Sequence, residues 1–143
     1  MSIAWKIAGQ GASITVNIIT RESPDMKNVY SGNWLTCEVE LAVTPVTGRF
    51  KASYTTQAFF KFWTGLNMIL SSSKGEAVCG SDEDPLQMTV SIDPTGRGLI
   101  KGTTRLHDRS YPTVSFSFES DPSALNKTCK ELEAVITQFP IIV

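Results

Sequence analysis

Histidine occurs once in this chain, at His107, and cysteine three times, at Cys37, Cys79 and Cys129, with no C-x-x-C spacing. One imidazole and three scattered thiols do not make a tetrahedral zinc site, and Asp82-Glu83-Asp84 lacks the ligand spacing of a calcium loop. The glycines form neither a phosphate loop nor a dinucleotide fingerprint, and no G-x-S-x-G elbow presents a nucleophile. His107 has Asp108 beside it, but neighbours in sequence do not usually face each other as an oriented pair, so it reads as a loop histidine rather than a general base. No metal and no cofactor are expected.

Charge of one sign is also lacking. The net charge of −1 rules out a globally basic nucleic-acid binder. No apolar run approaches the ~18–20 residues of a membrane span. Met1-Ser2-Ile3-Ala4-Trp5-Lys6 has no basic stretch leading into an apolar one, so a secretory signal is not expected either. A cytoplasmic protein, with neither nucleic acid nor membrane as partner, follows as the expectation. With 41% hydrophobic and 19% charged residues over 143 positions, the chain has the means to bury a core as one α+β domain spanning 1–143.

What the chain does have is alternation. Ile14, Val16 and Ile18 alternate with polar residues, after an earlier strand near Ile3–Ala8 and a Gly9-Gln10-Gly11 turn. Residues 21–33 are polar and read as a loop. Leu35, Cys37, Val39, Leu41 and Val43 then face one way, with Thr36, Glu38 and Glu40 facing the other. Pro45 and Thr47-Gly48 turn the chain, and Phe50, Ala52 and Tyr54 point inward on the return strand, Arg49–Tyr54. Further strands follow at Ala77–Gly80, Leu86–Ile92, Gly98–Leu106 and around Val114, Phe116 and Phe118.

Two helices punctuate the strands. Thr55-Thr56-Gln57 opens the first, whose apolar stripe is Phe59, Phe62, Trp63, Leu66, Ile69 and Leu70. Gly65 within it costs about 1 kcal/mol against alanine, and marks a place where another element comes close. Asp121-Pro122 opens the second, with Leu125, Cys129, Leu132, Ile136 and Phe139 as its stripe and Pro140 as its stop. Cys37 and Cys129 fall in these apolar registers and read as small buried hydrophobes. The expected fold is a mostly antiparallel sheet of about seven strands with both helices on its apolar face. Two layers of strands are the alternative, since alternation does not separate them. No internal repeat of ~20–50 residues is visible.

Candidate function rests on surfaces. Glu38 and Glu40 share a strand face at roughly 6.5–7 Å by strand rise, a spacing open to acid–base work in a cleft but simpler as surface charge. Residues 73–143 carry ten acids against seven bases, and the acids gather at Glu76, Asp82, Glu83 and Asp84. That segment is a solvated loop or an acidic contact surface for a basic partner. Trp5, Tyr30 and Tyr111 suit either peripheral core or partner anchors, and Trp34 either core or rim. A small-ligand pocket, or a weak enzyme, between helix and sheet would draw on Phe59, Phe62, Trp63, Phe116 and Phe118.

The order of Asn33-Trp34-Leu35, Glu38-Val39-Glu40-Leu41, Gly48-Arg49-Phe50, the helix segment Phe59–Leu66, Leu99-Ile100-Lys101-Gly102, Val114–Glu119 and the closing helix through Leu132 to Phe139-Pro140 resembles the WapI-like family of bacterial immunity proteins. The likeness spans roughly residues 10–140. It implies a non-enzymatic module whose partner is a cognate toxin protein. It assigns no functional residue, so Glu38, Glu40, Asp82, Glu83 and Asp84 stand as partner-binding candidates on charge and exposure alone.

Overall fold

A computed structural model describes residues 3–22, 32–105 and 111–142. Strands β1 (Ile3–Gly9), β2 (Ala12–Arg21), β3 (Trp34–Val43) and β4 (Val46–Thr55) precede helix α1 (Thr56–Ser72). Strands β5 (Glu76–Cys79), β6 (Leu86–Ile92), β7 (Gly98–Thr104) and β8 (Val114–Ser120) precede helix α2 (Pro122–Gln138). The chain thus runs four strands and a helix, twice over.

The eight strands form two four-stranded antiparallel sheets, ordered β1-β2-β3-β4 and β5-β6-β7-β8. This corrects the single sheet of about seven strands. Every hairpin pairs neighbours in sequence, so each half closes its own ladder before its helix, α1 or α2, carries the chain away. Between the sheets, β1 and β8 meet through isolated bonds rather than a ladder. The Gln10 amide donates to the Glu119 carbonyl at 2.8 Å, and Ser120 Oγ donates to the Ala8 carbonyl at 2.6 Å.

The helices do not lie together on one sheet face, as the single-sheet reading had them. α1 packs on β5, α2 on β1, and the two helices on each other. Each begins at a side-chain cap: Thr55 Oγ1 accepts the Ala58 amide at 3.1 Å, and Asp121 Oδ1 accepts that of Ala124 at 2.8 Å. A cap oxygen answers one of the amides that a helix start leaves unpaired. Counted from those caps, both helices bury their fourth, seventh, eleventh and fourteenth residues: Phe59, Phe62, Leu66 and Ile69 in α1, and Leu125, Thr128, Leu132 and Val135 in α2. The halves therefore repeat a topology and a burial register, although their side chains differ.

Residues from both sheets and both helices merge in one buried cluster. Trp5 is fully buried, edge-on to Phe59 at 5.8 Å between ring centres and tilted to Phe62 at 5.5 Å. It is core, which removes it as a partner anchor. Tyr54 Oη donates to the Leu86 carbonyl at 2.6 Å and ties β4 to the second sheet. Trp63, placed centrally in the stripe by its spacing, is only half-buried and tilts against Phe60. Gly65 does mark a close approach, since a Cβ there would lie 2.9 Å from that of Ala77 on β5.

Candidate functional site

The outer face of the first sheet carries β3 and β4 side by side. Their register sets Glu38 opposite Lys51, and Glu40 opposite Arg49. Arg49 reaches both acids, with Nη2 at 2.7 Å from Glu40 Oε1 and Nε at 3.6 Å from Glu38 Oε1. Two acids and two bases thus cancel locally, and the pair is a surface ion network rather than an acid–base couple. Exposed networks of this kind add little to stability. Glu38→Ala is accordingly expected to change the unfolding free energy by no more than about 0.5 kcal/mol in a denaturant melt.

The acidic turn follows β5. Asp84 is spent on holding it: Oδ2 accepts the Ser81 amide at 2.7 Å and the Ser81 hydroxyl at 3.2 Å. Asp82 and Glu83 are exposed and make no ion pair among the described residues. Tertiary packing brings this turn to the end of the first sheet, where a cleft of about 480 Å³ opens. Trp34, Thr36, Lys51 and Ser53 form one wall, and Glu83, Asp84 and Pro85 the other. Asp82 lies apart, in a notch of about 40 Å³ with Arg105. Trp34 is 37% exposed, an indole at the rim.

Of the five candidates, Glu83 and Asp84 line the cleft. Glu38 and Glu40 lie along the same sheet face beside Lys51. Sequence reasoning gave neither Lys51 nor Trp34 a link to the acidic turn, because nothing local in the chain couples positions 34 and 51 to 83. Tyr111 is exposed at 58%; His107 and Tyr30 lie outside the described residues.

The buried thiols offer no nucleophile. Burial pushes Cys37 up to about 12 and Cys129 up to about 11, and raises Cys79 further with Asp84 nearby as a lesser cause. All three stay protonated at neutral pH. The aromatics that might have lined a ligand pocket are spent on the core, since Phe59, Phe62, Phe116 and Phe118 are all buried. No helix among the described residues is long and apolar enough to cross a membrane.

The model of the immunity protein WapI-like family matches residues 5–140. The chain belongs to that family. As a WapI-like immunity protein it has, in general terms, the role of protecting against a toxin. Comparison with curated proteins finds no match. Among solved structures the fold is similar to a chain described as "Crystal structures of trypanosoma bruciei MRP1/MRP2", with a TM-score of 0.50 and 11% identity over 98% of this chain and 85% of that one. At such identity the likeness is one of fold alone.

Proposed function

We propose that this WapI-like chain is a non-enzymatic, cytoplasmic protein that neutralises a cognate bacterial toxin domain by binding it directly. The family match over residues 5–140 carries the reading. The cleft supports it by joining an exposed indole, a lysine and the Glu83 carboxylate, which has no ion pair among the described residues, the mixture of anchor and rim that protein interfaces favour. Asp82 and Glu83 steer a basic partner towards that cleft, while Glu38 and Glu40, already held by Arg49, serve as a polar border.

Co-expression with the toxin domain encoded beside the gene tests this. Wild-type protein is expected to restore growth and to co-elute with the toxin on gel filtration. Trp34→Ala with Glu83→Lys is expected to lose both, without a change in melting temperature. Equal killing with and without the wild-type protein, and no complex, would end the proposal.

A further inference from the structure

The two halves of the repeat differ in what their helices show to solvent. α2 turns Asn126, Lys130 and Ala134 outward, as a solvated helix does. Counted from the caps, the matching residues of α1 are Phe60, Thr64 and Met68. Phe60 is 44% exposed and Met68 59%. Beside them on β5 stands Val78, 37% exposed, where β1 has Lys6 between buried Trp5 and Ile7. α1 and β5 are pressed together where Gly65 meets Ala77, so no further strand enters between them. Phe60, Met68 and Val78 instead line a shallow, open groove of about 510 Å³ over that contact.

Apolar side chains gathered in this way mark a contact surface, and the charges of the groove identify what it contacts. Lys61, the one charged residue of α1, lies about one turn before Thr64, the middle of the outward row. Glu76 approaches from the other side. β5 starts three residues after α1 ends, so its first residue enters from the C-terminal end of the helix. The Glu76 carbonyl oxygen lies 3.6 Å from where a Gly65 Cβ would stand. Both side chains are exposed, and neither makes an ion pair among the described residues. A groove with a cation towards one end and an anion towards the other is complementary to its own reversed copy. A twofold axis beside Thr64 sets Phe60 of each copy against Met68 of the other, a favourable pairing of ring and thioether. The same axis brings Lys61 of each copy level with Glu76 of the other.

We propose that this groove is the contact of a twofold dimer, in which α1 of a second copy of this chain lies antiparallel across it. The inference goes beyond the immunity reading and does not rest on it. The cleft at Trp34 and Glu83 shares no lining residue with the groove, so the dimer contact uses none of the cleft's lining. Three exposed apolar side chains make a small interface, which belongs with weak dimers rather than obligate ones.

Sedimentation equilibrium of the full chain tests this without any toxin. Wild-type protein is expected to form dimers with a dissociation constant of roughly 1–100 µM. Phe60→Asn, which installs the residue of the other half, is expected to weaken the dimer by about tenfold or more. Met68→Glu replaces it in this arm should Phe60→Asn melt early, since the Phe60 ring also tilts against Trp63. The charge variants test the antiparallel setting. Lys61→Glu and Glu76→Lys each place like charges level with one another twice, and each is expected to weaken the dimer by about tenfold. Together in one chain they restore opposite charges, and dimerisation is expected to return to within about threefold of wild type. Wild-type protein that is still monomeric at roughly 300 µM overturns the proposal. A dimer that the apolar variants leave unchanged overturns it too, as does one that the double charge reversal fails to restore. Toxin binding by a chain that stays monomeric, lost on Phe60→Asn, would give the groove to the toxin and overturn it equally.

Discussion

Phe62→Ala is expected to lower the unfolding free energy by about 3–5 kcal/mol, the range for emptying a large aromatic site in a close-packed core. Phe62 is fully buried in α1 and lies 5.5 Å from the Trp5 ring, so truncation leaves a void between the helix and the first sheet. Trp63→Ala is expected to cost less, about 1–2 kcal/mol, because its half-buried indole already shares its surface with water. A guanidinium melt of both variants, with unchanged slope, measures the difference. Were Trp63 the more damaging, α1 would be turned by about 100°, one residue's rotation, from the orientation described.

Gly9→Ala is expected to cost about 1–3 kcal/mol through forced overpacking. A Cβ at Gly9 would stand 2.0 Å from the Glu119 carbonyl oxygen and 2.7 Å from Phe118 Cδ2. That carbonyl has little freedom to retreat, because it already accepts the Gln10 amide at 2.8 Å. The clash falls at the seam between the two sheets, so the joint between halves should loosen before either hairpin does. Hydrogen exchange around Gly9 and Glu119 would report it. Gly48→Ala, where a Cβ meets nothing within 4 Å, is the control and should shift the melt by no more than about 0.5 kcal/mol. Equal effects from the two would remove the seam as a tight contact.

Much of the local structure is legible in the chain. The alternation of Leu35, Cys37, Val39 and Leu41 assigns their strand's buried face, because a period of two leaves only one face to bury. Asp121-Pro122 marks the start of α2, where the carboxylate caps and the proline has no amide to lose. Trp63 shows the limit of this reasoning. Apolar spacing outlines a stripe wider than the contact, and only the packed partner decides which residues lie at its centre.

The separation into two sheets was hidden for a related reason. Periodicity reports which way a side chain points but not which strand lies beside it, and isolated bonds between β1 and β8 leave no pattern in sequence. Glu38 and Glu40 read as surface charges from the sequence, and the ladder then decided which base stands across from each: Lys51 from Glu38 and Arg49 from Glu40. Trp34 and Glu83 share a cleft only because packing brings the β5–β6 turn to the first sheet.

By itself, then, the sequence determined the strands and both helices with their N-terminal caps. These follow from residue-scale rules: periodicity and capping. Tertiary structure alone decided that the strands form two sheets, that α1 packs on β5 and α2 on β1, and that the acidic turn meets Trp34. Each is a contact between separate elements, set by how whole faces pack rather than by what any short segment prefers.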